Sequence, residues 1–573
     1  MTINNYKQAG RLKYASCFPF PNIRDIQQKI LNKLEQLDDK KYIIIEAMPG
    51  TGKSAIAKSI AQAYNNAYIL TATKQLQDQY LNEFDDIVLI KGKGNYLCNR
   101  KKGTKIFCNQ AECLLNPAII STCGNNCPYL KAKEKALNAK IVATSYAYFF
   151  TWLLRSSFKE RNVLILDECH LFINMLIEWA EVKLNIQELQ KDYKIFNNDD
   201  IYIELNLFLN LSTHQYQDGY NANEKFINTI YSILKTQQVY ITKIMRELKD
   251  KNKVLSNISD KLFWEFKAKS KDGKWNQFIS LNDKLNTLVS KMSHFINMKD
   301  KSKWIISKNV NQDKQTELVI KPFSVNNLFN LYIDKFGIDH IIFMSATILD
   351  TQAYYKELDI NDNDVGIIKV DSTFDPAKSP IYYYPIANMT YKATKQEEQY
   401  NELINKLSNT ISKILDKHVN EKGIIHTGTY QIANSLFNKM NNSRFVMRSI
   451  HNESNSLLLN RHKNKDNSVL LSPSLGTGAD LKDDLSRFQI IIKLPFLSLA
   501  DKRVAIKARM DYDWYVIEML KSLIQMSGRS TRSAEDYSTT YVLDINFKHW
   551  ILQYQNYLPP SFKKRIYWTC NLF

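Results

Sequence analysis

Short runs of β-branched and aliphatic residues alternate with stretches of helical periodicity at both ends of the chain. That alternation is the pattern of parallel α/β sheets. In the first half it predicts strands over Tyr42–Ala47, Ala67–Thr73, Lys140–Tyr146 and Val163–Asp167, with His340–Ala346 as a late strand of the same sheet. In the second half it predicts Gly423–Thr427, Arg444–Met447, Ser468–Ser472, Gln489–Leu494 and Thr540–Asp544. From about Ile173 to Lys321 the character changes. Leu, Ile, Lys and Glu recur at helical spacing there, as in Phe226–Arg246 and Asn282–Met298, with few strand signals. This predicts a mostly helical insertion of about one domain's length. Asn- and Lys-rich patches such as Asn460–Asn467 read as loops, and no fixed-period repeat is present.

At 573 residues the chain exceeds one hydrophobic core, and usual domain sizes suggest roughly three or four. No apolar run approaches the roughly 18 residues a membrane helix needs. The segment Met1–Phe20 is polar and basic without an apolar stretch, so no secretory signal is expected. The default compartment is therefore the cytoplasm, including its DNA. The formal net charge of +19 favours a polyanion, either nucleic acid or an anionic membrane surface. Five of the eight cysteines fall between Cys98 and Cys127. Without an export signal, such clustering points to a metal site before disulfides. Cys17, Cys169 and Cys570 stand apart and read as ordinary thiols.

Glu46-Ala-Met-Pro-Gly-Thr-Gly-Lys-Ser54 follows an apolar strand and opens a helix. Gly50 and Gly52, with Thr51 between them, let the backbone turn so that its N–H groups face phosphates. Lys53 offers a positive charge to the β and γ phosphates and Ser54 a hydroxyl to Mg²⁺. Ala47 stands where the general motif has Gly. Downstream, Val163-Leu-Ile-Leu-Asp-Glu-Cys-His170 is an apolar strand ending in two acids. Asp167 is placed to hold Mg²⁺, and Glu168 to orient the attacking water and take its proton. Gln525-Met-Ser-Gly-Arg-Ser-Thr-Arg532 carries Arg529 and Arg532, which can present guanidinium groups to a γ-phosphate across a cleft.

Together these residues resemble superfamily 2 helicases of the XPD/DinG branch, over both α/β blocks and the cysteine segment. The resemblance implies a fold of two RecA-like parallel-sheet motor domains with an iron–sulfur insertion and a mostly helical arch insertion. Arg24 and Gln27 resemble the adenine-sensing Q motif, and Gln28 fits the same position as Gln27. Thr71-Ala-Thr-Lys-Gln-Leu-Gln77 is similar to motif Ia, which grips the DNA backbone, and Asp167-Glu-Cys-His170 is a DEAH variant. Ser345-Ala-Thr347 resembles motif III, and Gly423-Ile-Ile-His-Thr-Gly-Thr-Tyr430 motif IV. Leu471–Leu481 resembles motif V, whose Gly478 and Asp480 match; Thr477 stands where relatives usually carry Glu. Gln525, Gly528, Arg529 and Arg532 match motif VI.

Lys91-Gly-Lys-Gly-Asn-Tyr-Leu-Cys98 and Cys127-Pro-Tyr-Leu-Lys-Ala-Lys133 resemble the two ends of the family's iron–sulfur module, and Ala143-Thr-Ser-Tyr146 the strand that follows it. The resemblance implies a 4Fe–4S cluster on Cys98, Cys113, Cys123 and Cys127, with Cys108 as the spare. Tetrahedral zinc accepts four thiolates equally well, so spacing alone does not choose between them. Lys91, Lys93, Arg100, Lys101, Lys102 and Lys105 precede or flank the cysteines, and Lys131, Lys133 and Lys135 follow. Tyr96 and Tyr129 offer faces for stacking bases, or simply fill a core. Trp264, Phe266, Trp275 and Phe278, interleaved with Lys267, Lys269, Lys271 and Lys274, read as core aromatics with a charged exterior.

The expected domains are a first motor lobe over 1–95, 140–175 and 322–355, an iron–sulfur domain over 96–139, an arch over 176–321 and a second lobe over 356–573. The resemblance implies ATP as fuel with Mg²⁺, single-stranded and forked DNA as partner, movement 5′ to 3′, and a role in DNA repair or replication. No membrane partner is expected, and a monomer is. The same motifs also fit a DNA-dependent ATPase that remodels protein–DNA or RNA–DNA complexes without separating strands.

Overall fold

The structure is a computed structural model that describes residues 13–99, 106–111, 126–153, 160–189, 220–247, 275–298, 300–310, 313–333, 337–390, 396–448, 453, 455–473, 483–528 and 536–568. The first sheet begins with β1 (Tyr42–Ala47), β2 (Ala67–Thr71), β3 (Ile87–Leu89), β4 (Ile141–Ser145) and β5 (Val163–Asp167). The chain then leaves for the insertion, which contributes β6 (Val182–Asn185), β7 (Trp304–Val310) and β8 (Thr316–Pro322). It returns as β9 (His340–Ser345) and β10 (Val365–Val370), completing a seven-stranded sheet of order β10-β1-β9-β5-β2-β4-β3. All of its pairings are parallel.

The apolar runs explain why this sheet is covered on both faces, since successive side chains on a strand point to opposite sides. Ile44, Leu70, Leu164 and Leu166 enter one core, while Ile43, Ile45, Ile69, Val163 and Ile165 enter the core on the other face. The second lobe repeats the plan with β11 (Ile381–Ala387), β12 (Gly423–His426), β13 (Phe445–Val446), β14 (Val469–Ser472), β15 (Phe488–Ile491), β16 (Thr539–Asp544) and β17 (Ile566–Tyr567). Their order is β13-β14-β12-β15-β16-β11-β17, again all parallel. Two all-parallel α/β sheets joined in one chain are the expected fold class.

Three features differ from the sequence reading. Because β10 pairs with β1, the crossing to the second sheet falls between Val370 and Ile381, later than residue 356. The mostly helical insertion also holds a small sheet that the sequence reading did not place. Its long helices Tyr220–Glu247 and Trp275–Ile296 pack on an antiparallel sheet of order β6-β8-β7, with Leu184, Leu234, Phe295 and Ile320 in one core. The strand signals were masked by polar residues on the open face, as in the buried–exposed–buried start of Val182–Asn185. Finally, Asn460–Asn464 belongs to the helix Asn455–Asn464, seated by the buried Leu458 and His462.

One buried cation ties the second lobe together. Arg565 donates through Nε to the Ser379 carbonyl and through a terminal nitrogen to the Ser527 carbonyl, each at 2.7 Å. Burial pulls its pKa down to about 10. Arg565→Met should destabilise the protein by about 2–3 kcal/mol, because two buried carbonyls lose their donor. Thermal unfolding of the variant measures this, and an unchanged midpoint contradicts it.

Candidate nucleotide site and lobe junction

The strand-to-helix turn at residues 48–53 has the backbone that phosphate binding requires. Gly50 and Gly52 have φ values of +81° and +80°, a region costly for any residue with a Cβ, and the helix Lys53–Tyr64 starts immediately after. The exposed N–H groups of a helix start are a ready anion site. Thr51 Oγ1 closes the turn on the Met48 carbonyl at 2.9 Å. Lys53 Nζ donates to the Ala47 carbonyl at 3.0 Å.

The start of helix Asp25–Gln36 is pinned to this loop. Arg24 donates to the Gly50 carbonyl at 2.8 Å, and Gln27 Nε2 to the Thr51 carbonyl at 3.1 Å. Gln27 Oε1 also accepts from the Arg24 N–H at 3.0 Å. Gln28 instead points outward to Asn32, so Gln27 is the glutamine that reaches the loop.

Asp167 ends β5, fully buried, and accepts from the Glu168 N–H and from the Tyr80 hydroxyl, each at 3.0 Å. Burial, then the neighbouring Glu168 charge, raise its pKa to about 6 against the pull of Lys53. Glu168 itself adopts φ +55°, which turns the chain out of the strand. Tyr80 was not singled out in the sequence; the only cue is its place one turn after buried Gln77 on helix Lys74–Glu83. Glu46 was also missed, although a carboxylate inside an otherwise apolar buried strand is a visible signal. Its Oε1 accepts from the Ile348 and Leu349 N–H groups at 2.7 and 2.6 Å, holding the segment after Ser345-Ala-Thr347 against the loop strand.

His170 joins the lobes. Its Nδ1 lies 2.8 Å from Ser345 Oγ and its Nε2 2.7 Å from Gln525 Nε2, which also donates to Thr347 Oγ1 at 2.8 Å. With the Gln525 amide nitrogen donating, Nε2 accepts and Nδ1 carries the proton. Gln525 sits near the end of helix Tyr512–Ser527, directly before Gly528. Arg529, Arg532, Thr477, Gly478 and Asp480 lie outside the described residues.

In the cysteine segment, Cys98 N–H bonds the Ile106 carbonyl and Cys108 N–H the Tyr96 carbonyl, each at 2.8 Å. This short ladder sets Cys108 near Cys98 and Cys127. Burial pushes the Cys108 thiol up to about 12, with Cys127 and then Cys98 adding to it. Cys113, Cys123, Arg100, Lys101, Lys102 and Lys105 lie outside the described residues, as do 264–274 and the side chains of Trp275 and Phe278. Among the described residues, no group of three or more His, Cys, Asp or Glu side chains has metal-holding geometry. Tyr129 is buried and shares a hydrogen bond of 3.1 Å with Tyr148, so it fills the core and offers no open face for a base. Tyr96 packs edge-on against it at 5.7 Å. No helix of the described residues is long and apolar enough to cross a membrane.

Comparison with known proteins matches this geometry. A family model of the helicase C-terminal domain matches residues 411–565, and one of the type III restriction enzyme res subunit matches residues 20–196. Among solved structures, an XPD helicase superposes with TM-score 0.61 at 16% identity, covering 94% of this chain and 99% of its own. The chain has the fold of the XPD helicase, and its second lobe matches the helicase C-terminal domain model. Xpd4 of S. tokodaii aligns with TM-score 0.57 at 14% identity, over 95% of this chain and 100% of its own. A probable ATP-dependent helicase of Methanocaldococcus jannaschii is 21% identical, with 95% of each chain covered.

If Asp167 holds Mg²⁺, metal binding there must compete with a proton. A carboxylate whose folded pKa is raised is protonated as pH falls through that value, here about 6. The Mg²⁺ concentration needed for nucleotide binding should therefore rise below that pH. Titrating Mg²⁺ against a fluorescent nucleotide on either side of it measures the effect; a flat requirement would count against the assignment.

Proposed function

We propose that the protein is an ATP-dependent DNA helicase that moves 5′ to 3′ on single-stranded DNA and parts duplex ahead of it. The observation that carries this reading is the hydrogen-bonded meeting of His170 with Ser345 and, from the second lobe, Gln525. A nucleotide cradled by the loop would lie beside a junction that both lobes share. Lys53 and the loop N–H groups would hold the phosphates, with Arg24 and Gln27 on the base side. Mg²⁺, held by Ser54 and Asp167, would neutralise charge developing on the phosphates. Glu168 would orient water and take its proton, and Arg529 and Arg532 would reach the γ-phosphate. Closing and reopening of the lobes would then ratchet them along one strand. The net charge of +19 suits the polyanion.

The cysteine segment supports a metal centre, with Cys98, Cys127 and two further thiolates as ligands. Cys113 and Cys123 are the ligands expected from resemblance, and Cys108, which interacts with Cys127 and Cys98, is the alternative to one of them. Such a cluster would staple a small segment with little core of its own. Cys127→Ser should lose bound metal, read by metal analysis and visible absorption. Equal loss in Cys108→Ser would place Cys108 in the set. Full metal content there leaves the set at Cys98, Cys113, Cys123 and Cys127, and zinc without colour removes iron–sulfur.

Unwinding of duplexes with a 5′ or a 3′ single-stranded tail tests the activity. ATP-dependent opening of the 5′-tailed duplex alone, lost in Lys53→Ala, is expected. DNA-stimulated hydrolysis without strand separation would indicate a remodelling translocase, and preference for the 3′ tail would overturn the polarity.

A further inference from the structure

The segment between β10 and β11 carries an aromatic ring into the phosphate loop. A Cβ built on Gly50 would lie 1.9 Å from Phe374 Cζ, so the ring rests directly on that glycine. The neighbours of Gly52 are polar. A Cβ on Gly52 would meet Gln27 Nε2 at 2.3 Å and an Arg24 guanidinium nitrogen at 2.6 Å. Arg24 also donates to the Gly50 carbonyl at 2.8 Å, so the ring and the guanidinium converge on one residue.

The backbone that presents Phe374 is fixed on both sides. The Phe374 N–H bonds Ser372 Oγ at 3.1 Å, and Asp375 Oδ1 accepts from the Ala377 N–H at 2.9 Å. Just before them, the Asp371 carboxylate accepts from the Ser561 N–H at 2.8 Å and from its hydroxyl. Ser561 belongs to helix Pro560–Lys564 of the second lobe. The ring itself is only partly buried. A held backbone with a half-open ring facing a phosphate loop suits a ligand better than a core.

A nucleobase needs two kinds of contact: donors and acceptors at its edge and a flat surface against its face. The exposed Arg24 guanidinium, positioned through Gln27, would supply the first. Resting on the proposal that this loop binds ATP, we propose that Phe374 supplies the second, as the ring on which the adenine stacks. It is then a binding residue that belongs to the connection between lobes. Base occupancy and the position of the second lobe are thereby coupled.

The test compares ATP with inorganic triphosphate, which has phosphates but no base, by equilibrium binding to the full chain with Mg²⁺. Phe374→Ala and Phe374→Leu should each weaken ATP binding by about tenfold, the scale of one base–aromatic stack. Triphosphate binding should stay as in the unsubstituted protein, and Phe374→Trp should restore ATP affinity. Equal loss of both ligands in Phe374→Leu, or unchanged or tighter ATP binding, would overturn the stacking role. If the unsubstituted protein binds neither ligand, the nucleotide-site reading itself fails, which is a separate outcome.

Discussion

The two lobes meet at a partly buried hydrogen-bond junction around one imidazole, beside the loop at residues 48–53. His170 touches Ser345 in the first lobe and Gln525 in the second, and Gln525 also holds Thr347. Groups from three distant parts of the sequence share a few bonds in a partly dry cleft. Such bonds are strong when complete and costly when half made. A shift of the second lobe must therefore break both Gln525 bonds together, whereas the His170–Ser345 contact lies within the first lobe and can persist. Linked make-or-break contacts of this kind give a two-state element, which a ligand in the adjoining loop can bias.

Glu46 extends the junction into the loop strand. Its carboxylate holds Ile348 and Leu349, the latter at φ +62°, so the segment after Thr347 cannot relax independently of β1. Away from the loop, Lys507 and Arg503 of helix Lys502–Met510 meet Glu357 at 2.6 and 3.5 Å, and Lys321 of the insertion's β8 meets Asp501 of the second lobe at 3.1 Å. The lobes thus contact each other through polar, exchangeable groups as well as the apolar patch around Met48, Leu349 and Leu520. That mixture suits surfaces that must part and rejoin.

Much of this was legible in the sequence because it depends on local chemistry. Glycines at positive φ before Lys53, and acids at the end of a fully apolar strand, announce themselves in a linear reading. β10 was not legible: Val365–Val370 alternates buried and exposed residues at the sheet edge and lacks the continuous apolar run of β1. Gln27 could be separated from Gln28 only by seeing which one faces Thr51. Tyr80 and Phe374 carry no motif, and their importance arises from what lies across from them in space. Tyr129 shows the opposite error, since a tyrosine among lysines suggests an open platform but here completes a core.

The neck of the large insertion has a consequence for the rest of the chain. β6 on the way out and β8 on the way back are hydrogen-bonded partners, with Val182 opposite Ile320 and Asn185 opposite Glu317. Departure and return therefore lie side by side, only one strand spacing apart. Whatever is threaded between them, long or short, leaves the spacing of β5 and β9 unchanged. The motor sheet is in this way insulated from its largest appendage, which can lengthen, shrink or change its surface without disturbing the register on which Asp167 and Ser345 depend.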